Sequence, residues 1–260
     1  MKTNTSDNAL RQKMNSSNPV VGTFAHLGGL ATVECLGLAG LDFVVIDIEH
    51  APFSMETATD MVRTAELAGV SSVIRVCDHS RPSLHKALNT GASAIVVPCI
   101  ESVQEIKDML KEGRFYPHGK HNFPYARNSN YNGKCKDGLQ SFYDRENREK
   151  LLIPQCETLG CLNHIEEIMA MEGVDGLFFG PFDLTADMGI IGQFDHPDYL
   201  EARRRVVKAC QDNGKFAWTY SASTGDAKAD FSDGFLGSAI GIDTGIYTSA
   251  YKQLMSEMND

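Results

Sequence analysis

No stretch of the chain is apolar for long enough to span a bilayer as a helix. Basic residues are in deficit. The 24 Lys and Arg against 34 Asp and Glu give a formal net charge of -10 and a pI near 5.3. That balance argues against a general nucleic-acid binder and offers no basic face to an anionic membrane. An anionic substrate would need a local cation or metal. The 7 cysteines are odd in number, scattered and never spaced C-x-x-C, which predicts free thiols in a reducing compartment. The first residues, MKTNTSDNALRQKMNSSNP, lack an apolar core, so no signal peptide is expected and the protein is placed in the cytoplasm. No G-x-G-x-x-G follows the first predicted strand, so a Rossmann site lacks its fingerprint.

What is present is a regular alternation. Residues 1–18 are polar and predict a flexible tail with a short helix from Asn8 to Asn15; residues 19–260 read as one domain. Eight apolar runs are predicted as strands, from Pro19–Phe24 and Leu41–Ile46 through Ser72–Val76, Ala94–Pro98 and Leu152–Glu157 to Val174–Phe179, Lys215–Thr219 and Phe235–Ile240. Amphipathic segments lie between most of them, several stopped by a glycine such as Gly40, Gly69 or Gly91. Leu41–Ile46 is apolar throughout, as in a strand buried on both faces. Eight units in 260 residues predict an α/β fold, a (β/α)8 TIM barrel, with an open doubly wound sheet as the rival. The stretch from Gly113 to Gly138, with Pro117, Gly119, Pro124 and Gly133, breaks the pattern and predicts a long irregular loop, usually a functional one.

In such a barrel chemistry sits at the C-terminal strand ends. Those ends supply Asp47, Glu49 and His50, then Arg75, Glu157 and Asp183. Side chains alternate along a strand, so Ile153, Gln155 and Glu157 share one face. Gly180-Pro181 stops the next strand, and Asp183 follows at a helix start. If these strands are parallel neighbours, Glu157 and Asp183 meet and suit a hard divalent cation. The plainer alternatives are a helix cap for Asp183, a solvated acid opening a helix for Glu157, and a buried ion pair for Arg75. As a set the residues take complementary roles. The cation would chelate a 2-oxo acid and, as a Lewis acid, stabilise its enolate. Arg75 would add a second positive charge at the enolate oxygen. The amides of Phe182 and Asp183 suit the carboxylate. His50 would move the proton, held by Asp47. Lys215 is at the wrong end of its strand and Lys86 lies in mid-helix, which disfavours a Schiff-base mechanism.

The motifs GLDFVVIDIEHAP, VIRV, TGASAIVVPCIES, RFYPHGK, PQCET and EGVDGLFFGPFDLTADMG make the sequence similar to a known family. From about Val20 to Leu254 it resembles the metal-dependent (class II) 2-oxo acid aldolases. These are the 4-hydroxy-2-oxoheptanedioate and 2-dehydro-3-deoxyglucarate aldolases, relatives of the citrate lyase β subunit and of macrophomate synthase. The resemblance implies a (β/α)8 barrel and a hexamer, a trimer of dimers that exchange their C-terminal helices. It implies a divalent metal (Mg2+, Mn2+ or Co2+) on Glu157 and Asp183, Arg75 at the enolate, and His50 as acid/base residue with Asp47 as its partner. Gln155 and the amides around Phe182 would line the pyruvate end. The reaction implied is cleavage of a 4-hydroxy-2-oxo acid to pyruvate and an aldehyde, or the reverse.

The sequence also departs from that pattern. The usual D-G-E-H is Asp47-Ile48-Glu49-His50. An acid often found before the T/V-G step is Asn89, and the G-x-R-G of the loop is replaced by Gly119-Lys120-His121-Asn122, with Arg127 beyond. Phe182 stands where a small residue is commoner. The pyruvate half is expected intact and the half that selects the aldehyde altered. Oxaloacetate decarboxylation is one alternative. A non-catalytic 2-oxo acid-binding protein, favoured by Asn89 and His121, is another.

Overall fold

Strand and helix alternate from Val20 onward in the computed structural model, which describes residues 8–258. Helix α1 (Ala9–Asn15) precedes β1 (Val20–Ala25), α2 (Leu30–Leu38), β2 (Phe43–Asp47), α3 (Met55–Ala68), β3 (Ser71–Arg75), α4 (Arg81–Asn89), β4 (Ala94–Val97) and α5 (Val103–Gly113). After a long connection come α6 (Leu139–Glu149), β5 (Leu151–Cys156), α7 (Leu159–Asn163), α8 (Ile165–Ala170), β6 (Gly176–Phe179) and α9 (Pro181–Asp187). The chain ends with α10 (Pro197–Asp212), β7 (Phe216–Ser221), α11 (Thr224–Ser232), β8 (Gly237–Ile242) and α12 (Asp243–Glu257). Each strand pairs in parallel with the next, and β8 returns to β1, so the sheet is a closed barrel. The expected (β/α)8 barrel is the observed one.

Local chemistry explains the helix ends. The Ser54 hydroxyl accepts the Thr57 amide at 3.1 Å to start α3, and Gly69, at φ 75°, ends it in the left-handed region. Ser102 and Glu105 form a reciprocal capping box at the start of α5. Helix α11 was not expected. Its apolar content is thin, with Ala227 and Asp230 its only buried residues, so periodicity gives little signal. The single helix expected after β5 is two, α7 and α8, parted at His164.

Two layers of core hold the fold. One lies between barrel and helices; the other fills the barrel with Phe43, Val45, Val73, Val96, Ile153, Phe178 and Trp218. Phe43 stacks on Trp218 at 4.7 Å. Gly22 makes room for that stack: a Cβ there would meet the Phe43 ring at 2.4 Å. Helix α1 closes the base. Leu10 and Met14 are buried against this core, and the Trp218 indole N–H meets the Met14 sulfur at 2.9 Å. Each buried side chain of that size stabilises by about 1.5–3 kcal/mol. Residues 8–15 are therefore docked, which corrects the expected flexible tail; its first seven residues lie outside the described residues.

The irregular segment after α5 also sits elsewhere than expected. It joins the end of α5 to α6, which runs directly into the start of β5, so it lies at the N-terminal face of the barrel. Its anchors confirm this: Arg127 donates to the Thr90 carbonyl at 2.8 Å and pairs with Glu66, both at helix ends next to that face. His121 is buried there, donating to the Glu112 carbonyl at 3.1 Å and meeting the Asn89 side-chain amide at 3.3 Å. Gly119–Asn122 and Asn89 thus stand away from the mouth of their own barrel.

Helix α12 leaves Ile246, Tyr247, Tyr251, Leu254 and Met255 exposed, and Met258 just past its end is exposed too. Among the described residues no helix is long and apolar enough to cross a membrane.

Candidate active site

The C-terminal mouth gathers the side chains that carry charge. Asp47 ends β2 and Arg75 ends β3, and the strand register sets them side by side. Asp47 is fully buried. Its Oδ1 accepts from Arg75 Nε at 2.9 Å, and its Oδ2 from Arg75 Nη2 at 2.6 Å. Burial alone would raise the Asp47 carboxyl, but the Arg75 hydrogen bonds and charge outweigh it and hold the group below the usual carboxylate range. The amides of Glu49 and His50 also point at Oδ1, at 3.1 and 3.4 Å.

The expected pairing of Asp47 with the His50 ring is not what the structure has. His50 Nδ1 stands 3.7 Å from Asp47 and 2.7 Å from Arg75 Nη2. A guanidinium only donates, so His50 Nδ1 accepts and Nε2 carries the ring hydrogen. The His50 side chain is 58% exposed. The imidazole that does bond Asp47 is His26, at the end of β1, with Nε2 2.7 Å from Oδ2. Sequence reasoning missed it, although the signal was there. Period two puts Gly22, Phe24 and His26 on one face, the rule that placed Glu157.

On the far side of Arg75 stand Gln155, in β5, and Glu157, just past its end, both buried. Glu157 Oε1 accepts the Cys99 amide at 2.7 Å, and its other oxygen accepts from Gln155 Nε2. Cys99 holds that amide in place at φ 54°, a left-handed conformation. Burial pushes the Glu157 carboxyl above its usual range, and the charges of Asp183 and Glu49 add to the push. Arg75 belongs chiefly to Asp47 and acts on Glu157 only through its charge, so among the described residues Glu157 is a buried carboxylate with no ion-pair partner of its own. Asp183, in the first turn of α9, is exposed and close enough to act on Glu157 electrostatically. The turn before it lies directly on Glu157: a Cβ at Gly180 would meet Glu157 Cβ at 2.9 Å. The Oε1 of Gln155 is buried with no hydrogen-bond partner among the described residues.

These features fit a divalent cation on Glu157 and Asp183, which supply two oxygen donors, excess negative charge and an open side. A second group, Asp47, Glu49 and His50, places one potential ligand atom each within 4.8 Å of one another. Arg75 already occupies it, bonding Asp47 and His50 and standing 3.2 Å from Glu49. A metal ion there would meet a fixed positive charge, so this group is the weaker candidate.

Phe182 is 51% exposed and packs edge-on against Phe194 at 5.1 Å and Tyr220 at 5.7 Å. Tyr220 in turn meets Phe24, whose ring lies 4.8 Å from the Arg75 guanidinium. Lys215 bonds the Met171 carbonyl beside the start of β7, opposite the mouth.

Known proteins agree with this architecture. A hydroxypyruvate/pyruvate aldolase of Agrobacterium fabrum is 30% identical over 81% of this chain and 78% of its own. A 5-keto-4-deoxy-D-glucarate aldolase of Shigella dysenteriae is 27% identical over 90% of each. The crystal structure of an aldolase/citrate lyase family protein from Burkholderia cenocepacia superposes with a TM-score of 0.90 at 28% identity, covering 97% of this chain and 100% of that one. The model of one family matches residues 21–250, and the chain belongs to that family, the HpcH/HpaI aldolase/citrate lyases.

Proposed function

We propose that the protein is a divalent-metal-dependent aldolase that cleaves a 4-hydroxy-2-oxo acid to pyruvate and an aldehyde, or runs the reverse. The observation that carries this reading is Glu157, a buried carboxylate facing Asp183 and Glu49 with Arg75 alongside. Glu157 and Asp183 would hold the cation, which would supply Lewis-acid stabilisation of an enolate. Arg75, fixed by Asp47, places a further positive charge at the enolate oxygen. The amides of Phe182 and Asp183 precede the first intrahelical bond of α9, Leu184 to Gly180 at 3.1 Å, and are free for the substrate carboxylate. Gln155 lines the same end. His50, with its Nε2 hydrogen on the exposed ring, would hold the water that protonates C3 after the bond breaks.

The partners in this reading are a 2-oxo acid, an aldehyde and further copies of the chain. The apolar row on α12 recurs at helical spacing from Ile246 to Met255 and supports exchange of this helix within a hexamer, a trimer of dimers. All 7 cysteines are free thiols, which supports a cytoplasmic enzyme.

The test is pyruvate release from 4-hydroxy-2-oxo acids, coupled to lactate dehydrogenase, with Mg2+, Mn2+ or Co2+ and then with EDTA. Metal-dependent release lost in Glu157→Gln is expected. Release that EDTA leaves intact would overturn the metal assignment.

A further inference from the structure

Two imidazoles stand at the mouth, and they present different edges. Arg75 is always charged and holds Asp47 as a carboxylate, which can only accept hydrogen bonds. The His26 Nε2 at 2.7 Å must therefore be the donor. In a neutral ring this leaves Nδ1 as a lone pair. Nδ1 has no hydrogen-bond partner among the described residues, and the side chain is 21% exposed. Its ring stands edge-on to Phe24 at 6.3 Å, next to the aromatic row that reaches Phe182. The loop carrying it is pinned: Asp243, at the start of α12, accepts the His26 amide at 2.8 Å and the Leu27 amide at 3.2 Å. A carboxylate that fixes one ring nitrogen and leaves the other as a base is the orientation that general-base catalysis needs. His50 lacks this arrangement, because its Nδ1 already accepts from Arg75.

We propose that His26, oriented by Asp47, is a proton-transfer residue, the base that takes the C4 hydroxyl proton of the 4-hydroxy-2-oxo acid. This rests on the aldolase reading above. In cleavage the O–H bond breaks and its proton goes to Nδ1. The O–H pair becomes the second bond of the aldehyde C=O. The C3–C4 pair becomes the C2–C3 double bond, and the carbonyl pair moves onto the C2 oxygen as the enolate. C3 then takes a proton from a water at the exposed mouth beside His50: the C2–C3 pair forms the C3–H bond, the enolate oxygen pair restores C2=O, and protonated His26 returns its proton to solvent, which leaves both imidazoles neutral as they began. Run backwards, protonated His26 gives its proton to the aldehyde oxygen as the new C–C bond forms.

The test uses two variants of the full chain with 4-hydroxy-2-oxopentanoate and 4-hydroxy-2-oxoglutarate as probes. Glutamine keeps a donor where Nε2 stands and can still bond Asp47, but it is no base. In His26→Gln, kcat for cleavage is expected to fall about a hundredfold or more. The inhibition constant of oxalate, a planar mimic of the pyruvate enolate, should stay within about threefold. His26→Ala, which also frees one side of Asp47, should weaken oxalate as well. Equal losses in cleavage and oxalate affinity in His26→Gln would reduce His26 to a positioning residue and overturn the proposal. Unchanged cleavage would overturn it too. A wild-type protein that cleaves neither probe and is not inhibited at the enolate site places the failure in the aldolase reading instead.

Discussion

The Asp47 carboxylate grips the Arg75 guanidinium with both oxygens at 2.9 and 2.6 Å, at the ends of adjacent strands. Pair and barrel depend on each other. The register brings the two residues together, and a buried charge on either one is tolerable only because of the other.

Asp47→Asn should therefore cost both stability and activity. Removing one partner of a buried, hydrogen-bonded pair costs about 3–5 kcal/mol, on the order of 10 °C in Tm at this size. The folded carboxyl lies below its ordinary 3.8. Its contribution is thus present above that pH and is lost as pH falls through the folded value. Thermal unfolding of wild type and Asp47→Asn should differ fully at neutral pH and converge in acid below about 4. A constant gap down to the acid end would contradict this.

Glu157 has the opposite sign. Its folded carboxyl is raised, so its neutral form suits the fold and its charge at neutral pH is a cost. Glu157→Gln should raise the Tm of the EDTA-treated protein. It should also abolish the upward shift that Mn2+ gives wild type, about 2.7 kcal/mol at a hundred times Kd. Equal Mn2+ shifts in both proteins would move the cation elsewhere, with the group at Asp47, Glu49 and His50 next in line.

His121 ties down the segment at the N-terminal face. Burial lowers its imidazole from 6.5 to about 4, with the neighbouring His85 and Arg81 charges adding to this and the Glu112 carbonyl opposing it. The fold holds it neutral, so stability falls as pH drops from 6.5 towards 4, by up to about 1.4 kcal/mol per unit. Trypsin should cut between residues 114 and 138 faster at pH 5.5 than at pH 7.5. His121→Gln should flatten that dependence. The same dependence in the variant would assign it to other groups.

The exposed face of α12 should hold the assembly together. Tyr251 and Leu254 are each 54% exposed in the single chain. Tyr251→Glu with Leu254→Glu should shift the mass in analytical ultracentrifugation from an oligomer towards the monomer. A wild type that sediments as a monomer would remove the exchanged-helix proposal.

The barrel was legible because buried parallel strands such as Phe43–Asp47 are apolar on both faces and because glycines mark the helix ends. Glu157 and Arg75 were legible from strand-end position alone. Partners were not. The sequence puts His50 three residues from Asp47, yet Asp47 bonds His26, 21 positions away, because β1 and β2 are neighbours in space. The loop at 114–138 misled for a related reason. Length suggested function, but its anchors to Thr90 and Glu66, at the C-terminal ends of helices α4 and α3, put it on the face opposite the mouth. Asn89 and His121, which favoured a non-catalytic binder, bond each other there and leave the mouth unaltered.

The most direct measurement is exchange of the pyruvate methyl hydrogens in D2O, followed by NMR, with Mn2+ or Mg2+ and then with EDTA. It needs no knowledge of the aldehyde, only the enolate machinery around Glu157, Asp183 and Arg75. Metal-dependent exchange that disappears in Glu157→Ala is the expected result. No exchange with any divalent metal, or exchange undiminished in Glu157→Ala, would contradict a pyruvate enolate formed at this site.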